Sequence, residues 1–176
     1  MPEKKNDTGY LVISAMGPDR PGLVDEFSRF VLERGCNIED SRMAILGGEF
    51  AFIVLISGSA ANVGRAQKEI GKLGESCGLS VTAKATVRPR PTAALAFVPY
   101  RIRGTGVDHP GIVHKFSHLL AESGVNIESL ETHSFNAPVS GTPLFHFDMV
   151  VQVPATLAIA ALRTKLGKVA ERENVD

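Results

Sequence analysis

The segment Gly17-Pro18-Asp19-Arg20-Pro21-Gly22-Leu23-Val24 occurs a second time, in a related form, as Gly106-Val107-Asp108-His109-Pro110-Gly111-Ile112-Val113. A shift of 89 residues aligns the two stretches, and 12 of the 23 positions from 17 to 39 are identical without a gap. A match of this density at a fixed spacing indicates an internal duplication. The chain is therefore predicted to contain two copies of one structural unit.

The first copy alternates between strand and helix patterns. Runs of apolar, β-forming residues predict strands at 10–16, 37–46, 50–57 and 79–87. Apolar residues spaced by three and four positions predict helices over 23–31 and 63–77. Gly47-Gly48 predicts a two-residue hairpin turn, because glycine accepts the positive φ angles that such turns need.

The start and end of the first helix can also be predicted. Asp19 is expected to cap the helix, and Pro21 is expected in its first turn, where the missing N–H of proline costs nothing. Gly35 is expected to end the helix as a C-cap.

The order βαββαβ with right-handed crossovers predicts an α+β fold of two ferredoxin-like modules, each an antiparallel four-stranded sheet with both helices on one face. The expected bounds are a tail at 1–9, a first module at 10–87, a proline-containing linker at 88–99 and a second module at 100–176. The repeat places an eighth strand only at Asp176, so that strand is expected to be short or absent, or replaced by the apolar run 93–98.

The second copy differs in its hairpin. Its strands are predicted from residue 100, at 125–134 and at 144–153, with helices that carry Ile112 and Ile159. The hairpin loop at 135–143 is longer, and a symmetric hairpin places His133 opposite His146. That pair would be a pH-sensitive patch or two ordinary surface histidines.

The composition excludes several classes of protein. Hydrophobic residues make up 44% and charged residues 22%, and 19 basic side chains balance 19 acidic ones, which gives no overall electrostatic case for direct nucleic-acid binding. Cys36 and Cys77 are expected to be reduced, partly buried thiols. The polar N-terminus and the lack of any apolar run of about 20 residues predict a cytoplasmic protein without a membrane partner.

The strand at 50–57 is apolar on both faces, so it is expected to be central. Helices would cover only one of those faces. The other is expected to pack against the second module or a second chain, and a homodimer is the commonest arrangement of that kind.

The D-x-P-G-[LI]-[VL] turn and an N-I pair entering the second strand, present in both copies, resemble ACT domains. The tandem layout is similar to the family of the glycine cleavage system transcriptional repressor. The resemblance implies a regulatory protein without enzymatic activity or a cofactor. It would bind a small amino acid between the turn and the second strand at module interfaces, and control a partner regulatory protein or enzyme, or a transcriptional regulator of amino-acid metabolism.

The turn also has physical reasons to bind an amino acid. A helix N-terminus favours a carboxylate, a glycine lets a ligand approach the backbone, and an aspartate can meet an ammonium group. The predicted ligand-binding residues are Asp19, Arg20, Pro21, Gly22, Leu23, Asn37 and Ile38 in the first copy, and Asp108, His109, Pro110, Gly111, Ile112, Asn126 and Ile127 in the second.

Two alternatives remain open, and a metal site is set aside. The turns could be purely structural, with Asn37 and Asn126 bonding only backbone, which would make the chain a ligand-free protein–protein interaction module. A small phosphate-ester hydrolase of the same fold would use Arg20 and Asn37, although His109 replaces the arginine in the second copy. His114 and His118 have a metal-compatible spacing but no third partner, so no metal site and no catalytic residue are predicted.

Overall fold

A computed structural model describes residues 8–87 and 97–176. The chain divides into two compact units with the boundary between Arg90 and Pro91. Most of the predicted tail and linker, including residues 93–96 of the apolar run, lies outside the described residues. No helix in the described ranges is long and apolar enough to cross a membrane.

The first module has the predicted βαββαβ order. Its elements are β1 (Thr8–Pro18), α1 (Leu23–Glu33), β2 (Asn37–Leu46), β3 (Glu49–Ser59), α2 (Ala60–Cys77) and β4 (Ser80–Thr86). The antiparallel sheet has the order β2-β3-β1-β4, so β3 is central as predicted. Gly47 and Gly48 form the hairpin turn with φ angles of 61° and 86°, and Gly35 follows α1 with a φ of 63°.

The core of the first module lies between one sheet face and the two helices. The buried strand residues include Leu11, Ile13, Phe52 and Val54. The helices contribute apolar residues at the predicted spacing: Leu23, Phe27, Phe30 and Val31 from α1, and Val63, Ala66, Ile70 and Cys77 from α2. Val24, an apolar residue of the predicted helix over 23–31, is 49% exposed because it lies beside the stripe that contacts the sheet. Cys36 and Cys77 are buried free thiols, as predicted.

The second module contains β5 (Phe97–Val107), α3 (Ile112–Glu122), β6 (Asn126–Asn136), β7 (Pro143–Pro154) and α4 (Ile159–Glu173). Its antiparallel sheet has three strands in the order β5-β7-β6. His133 lies opposite His146, as the symmetric hairpin predicts. The His146 Nδ1 atom lies 2.8 Å from Thr105 Oγ1, and His133 stacks on Phe135.

The last two residues pair with the end of β5, at the position where the repeat expects the eighth strand. Val175 forms an isolated bridge with Gly106, and the backbones of Thr105 and Asp176 exchange two hydrogen bonds of 2.9 Å. The apolar run was one of the segments that could have replaced this strand. Its residues Phe97 and Val98 instead extend β5 itself, where they pair with β7.

The outer face of the first sheet is partly apolar and open to solvent. Met16 is 57% exposed and Ile53 is 50% exposed, while Val12 and Leu55 beside them are half-buried. That the second module or a second chain covers this face stays a prediction.

Gly17 tests how tightly the end of α2 packs on β1. A Cβ atom at Gly17 would lie 2.6 Å from the Gly78 carbonyl oxygen and 2.9 Å from Leu79 Cδ2. We expect Gly17→Ala to lower the free energy of unfolding by about 1–3 kcal/mol, because backbone must move to admit the methyl group. Gly64→Ala is the matched control, since a Cβ there meets open space within α2 and should stabilise the helix by roughly 0.5–1 kcal/mol. Urea denaturation measures both, and equal effects would contradict the packing described.

Candidate functional site

The turn between the first strand and the first helix lies against the hairpin in each module. The Asp19 N–H donates to the Gly48 carbonyl over 3.1 Å, and the Asp108 N–H donates to the Pro143 carbonyl over 2.9 Å. Both turns therefore occupy the same place, beside the hairpin end of the second strand.

A glycine is the N-cap residue of both helices. Gly22 has a φ of 95° and Gly111 a φ of 104°, and neither helix has a side-chain cap. The expectation that Asp19 caps α1 and that Pro21 lies in its first turn is wrong. The positive φ of Gly22 delays the start of the helix to Leu23, which leaves Pro21 in the preceding turn and Asp19 too far away to cap.

In the first module, side chains of the protein itself cover the turn. The Arg20 Nη1 and Nη2 atoms donate to Glu26 Oε1 and Oε2 over 2.7 and 2.9 Å, and the Cys77 thiol donates to Glu26 Oε2 over 3.0 Å. The Arg20 and Cys77 hydrogen bonds lower the pKa of Glu26 to about 2. Burial and the Glu26 carboxylate raise the pKa of Cys77. Two carboxylates, Asp25 and Glu26, already face the positive end of α1.

In the second module, His109 and Lys115 replace Arg20 and Glu26. The His109 Nε2 atom lies 3.1 Å from the Glu173 carbonyl oxygen, and Nδ1 lies 3.3 Å from the Pro110 carbonyl oxygen. Carbonyl oxygens only accept, so both contacts favour the doubly protonated ring. The Glu173 contact first, and then the Pro110 contact, raises the pKa of His109. This contact ties the turn to the end of α4.

The second turn is also more open than the first. A Cβ atom at Gly111 would meet nothing within 4 Å, whereas one at Gly22 would lie 3.5 Å from Glu26 Oε1. The first turn of α3 contains no acidic residue. Beside it, the Asp108 carboxylate accepts a hydrogen bond of 3.1 Å from Ser134 Oγ of β6. The second turn therefore combines an uncapped helix N-terminus, open space at Gly111 and a carboxylate three residues earlier in the chain.

The two Asn-Ile pairs lie at the far end of the second strand. Asn126 begins β6, and Ser134 near the turn follows eight residues later, a separation of about 26 Å along a strand. Within one module, the structure therefore does not bring the Asn-Ile pair to the turn. Asn126 and Ile127 instead line a groove of about 490 Å³ beside His114 and His118. The Asn37 amide donates to the Glu39 side chain over 3.3 Å.

The same geometry bears on the phosphate-ester hydrolase and on the metal-compatible spacing of His114 and His118. Arg20 is engaged by Glu26 at the hairpin end of β2, while Asn37 starts that strand at its other end, so the pair that a hydrolase needs is not assembled within the module. The His114 and His118 rings stack with centroids 5.7 Å apart. Among residues 8–87 and 97–176, no group of three metal-ligating side chains is present.

Several residues of the site could not be found from the motif. Glu26 and Cys77 meet at the first turn only because α2 ends beside α1, and the sequence carries no signal for that contact. Glu173 is brought to His109 by the end of α4. Ser134 could have been identified from the sequence, because the predicted hairpin register places it beside the turn.

Comparisons with known proteins agree with this architecture. The family model of the ACT domain matches residues 9–84. The glycine cleavage system transcriptional repressor of Escherichia coli is 36% identical over 149 residues, which cover 84% of this chain and 76% of the relative. The crystal structure of a protein of unknown function from Galdieria sulphuraria has a TM-score of 0.81 and 34% identity, covering 96% of this chain and 95% of that one. A structure assigned as a glycine cleavage system transcriptional repressor has a TM-score of 0.70 and 30% identity, covering 96% of this chain and 94% of its own.

The depressed pKa of Glu26 predicts a pH-dependent contribution to stability. A group with a lowered folded-state pKa stabilises the fold above its unfolded pKa of about 4.5 and loses that contribution as the pH falls toward about 2. Glu26→Gln should therefore be less stable than the parent at pH 7, and the difference should shrink between pH 5 and pH 2. Denaturant unfolding measures this, with the exposed Glu75→Gln as the control. A difference that stays constant with pH would contradict the ion pair.

The raised pKa of His109 predicts a contribution to stability with the opposite pH dependence, one that is lost as the pH rises. A group with a raised folded-state pKa stabilises the fold fully below its unfolded value of 6.5, and the contribution is lost as the pH rises through the folded value. Ring-proton NMR should show His109 titrating above 6.5. The stability of the parent should decrease between pH 6 and pH 8, because His109 loses its proton there, and the His109→Gln variant should not show this decrease. The exposed His114→Gln is the control. Titration of His109 below 6.5 would contradict its contact with Glu173.

Proposed function

Because the chain belongs to the ACT-domain family of the glycine cleavage system transcriptional repressor, we propose that it is a cytoplasmic regulator that binds a small amino acid and controls a partner protein in amino-acid metabolism. The tandem pair of regulatory modules supports this assignment. The partner would be a transcriptional regulator or an enzyme, and the chain itself would catalyse no reaction.

The open turn of the second module is the observation that carries the amino-acid proposal. A ligand carboxylate there would accept from the first amides of α3, near Ile112 and Val113, which have no side-chain cap. The ligand ammonium group would meet the Asp108 carboxylate, which Ser134 already orients. Gly111 leaves room for this approach, since nothing lies within 4 Å of its missing side chain. Pro110 and His109 complete the proposed contact surface.

The first module would bind the same class of ligand less tightly. Glu26 lies 3.5 Å from the position of a Cβ on Gly22, so an incoming carboxylate would meet a carboxylate already held by Arg20. Asp19, Pro21 and Leu23 offer the same backbone framework, but the helix N-terminus there already faces two acidic side chains. The Asn-Ile pairs, Asn37-Ile38 and Asn126-Ile127, stay proposed ligand contacts that would act separately from the turn of their own module.

Control of a partner requires that the ligand favour one conformation over another. His109 gives the turn a physical connection to the rest of its module, because its ring contacts the Glu173 carbonyl at the end of α4. A bound carboxylate beside His109 would strengthen its positive charge and that contact. We propose that occupancy of the turn thereby alters the position of the end of α4.

A second candidate function is a ligand-free interaction module. The exposed Met16 and Ile53 on the outer sheet face favour it, since apolar side chains at the centre of a sheet are typical of protein contacts. A partner or a second copy of the chain would cover that face. An amino-acid sensor and a ligand-free module would both use such a surface, so the exposed residues do not separate the two candidates.

The two candidates are separated by thermal unfolding in the presence of each of the twenty amino acids. A ligand that binds only the native state stabilises it by about 2.7 kcal/mol at a hundred times its dissociation constant, so one or two amino acids should raise the unfolding midpoint. Asp108→Asn should remove that shift while the variant stays folded. Asp19→Asn is the matched control in the first module and should retain most of the shift. No shift with any amino acid would favour the ligand-free module.

A further inference from the structure

The groove between the two helices carries different charges in the two modules. The helices can be compared position by position, because α2 and α4 end in the same way. Gly78 and Asn174 are both C-cap residues in the left-handed conformation. In each case the N–H of the next residue donates to a carbonyl five positions earlier. A shift of 96 residues therefore equates α2 with α4, while α1 and α3 are related by the shift of 89.

In the first module, the groove between α1 and α2 has a volume of about 620 Å³ and balanced charges. Its charged lining residues are three acids and three bases: Glu26, Glu33, Glu69, Arg29, Arg34 and Lys72. All of these except Lys72 have an ion-pair partner in the described chain. The pair of Arg34 with Glu69, at 2.8 Å, joins the two helices. This groove therefore neutralises most of its own charges.

In the second module, the equivalent positions are mainly basic. Four exposed cations occupy them: Lys115, Lys165, Lys168 and Arg172. Three of these replace residues that are acidic or neutral in the first module: Glu26, Glu69 and Ser76. Within residues 8–87 and 97–176, none of the four side chains has a hydrogen bond or an ion pair. The one carboxylate at an equivalent position belongs to Glu122, and it lies 3.4 Å from His118 Nε2.

Three of the four cations form a basic stripe along α4. Lys165, Lys168 and Arg172 are separated by three and four residues, so they lie on one face of the helix. The stripe is about 10 Å long. Arg172 lies in the last turn, where a positive charge favours the helix dipole, but this explanation does not extend to the two lysines in the middle of the helix. Like charges at such spacings repel each other, and bound carboxylates would relieve that repulsion.

Apolar residues border the basic stripe. Leu119 and Val169 are half-buried, and their equivalents in the first module, Phe30 and Leu73, line the groove there. A row of cations beside apolar side chains is complementary to an amphipathic helix whose carboxylates have the same spacing of three and four residues.

A nucleic acid is a poorer occupant of this surface. The single phenylalanine of α3 and α4, Phe116, is 3% exposed, and neither helix contains tyrosine or tryptophan, so no such ring is available for a base to stack on. The net charge of the chain is zero, which gives little general attraction for a phosphate backbone.

We propose that the basic stripe of α4 binds an acidic helical segment of a partner protein, with apolar side chains of that segment beside Leu119 and Val169. The inference rests on the proposed function in one respect, namely that the regulator contacts a protein. No residue of the ligand-binding turn belongs to the stripe, so peptide binding and amino-acid binding are measured separately and can fail separately.

The test titrates the full chain, without any amino acid, with a helical peptide of about 15 residues. The peptide carries three glutamates spaced by three and four residues, with leucines on the neighbouring face. We expect saturable binding below about 1 mM that weakens with added salt, and shifts in the amide signals of Lys165 and Lys168. The same peptide with glutamine for glutamate should bind roughly five- to tenfold more weakly, because each exposed ion pair contributes about a factor of two.

Two variants of the protein provide the reciprocal measurement. K165Q/K168Q should bind the acidic peptide roughly fourfold more weakly with an unchanged thermal midpoint, since both side chains are exposed. R163E is the matched control: it changes the net charge by the same amount on the same helix, but Arg163 lines a different groove, beside Tyr100 of β5. This control should keep the affinity of the parent.

Three results would overturn the proposal: no binding at about 1 mM, equal affinity for the glutamate and glutamine peptides, or a greater loss of affinity in R163E than in K165Q/K168Q. Tighter binding of a single-stranded oligonucleotide than of the acidic peptide would also overturn it and would assign the stripe to a nucleic acid. The two peptides on the unaltered chain decide the matter if a variant does not fold.

Discussion

Each module depends on one backbone constraint: a glycine with positive φ at the N-cap of its first helix. Gly22 and Gly111 adopt φ angles of 95° and 104°, which side chains with a Cβ rarely tolerate. This conformation turns the chain from the first strand into the helix and directs Leu23 and Ile112 into the cores, where they are 3% and 2% exposed. Because glycine has no side chain, it also leaves the first amides of the helix uncapped. The same constraint therefore serves the fold and exposes the proposed ligand site.

The duplication preserved this backbone while the side chains around it diverged. In the first module, Glu26 and Arg20 cover the turn. In the second, Lys115 and His109 stand at the equivalent positions and leave the turn open. We infer that the second module binds the ligand more tightly than the first.

The sequence predicted what depends on local periodicity and on the repeat. The order of elements, the Gly47-Gly48 turn and the register of His133 with His146 all follow from spacing along the chain. The helix start was wrong, since propensity favours Asp19 as a cap and cannot show that Gly22 takes that place. The contacts of Glu26 with Cys77 and of His109 with Glu173 join residues 51 and 64 positions apart. Such contacts depend on how helices end against each other, which no local pattern encodes. The Asn-Ile pair was expected beside the turn, but within its module it lies at the opposite end of β2 from the hairpin.

We propose that the open turn of the second module binds the carboxylate of an amino acid more tightly than the covered turn of the first. Amide NMR of the full chain, titrated with each of the twenty amino acids in turn, distinguishes the two turns. An amino acid that binds should shift the amide signals of Gly111, Ile112 and Val113 at concentrations that leave those of Gly22, Leu23 and Val24 unchanged. Larger shifts at Gly22–Val24 than at Gly111–Val113, or no shift at either turn with any amino acid, would contradict it.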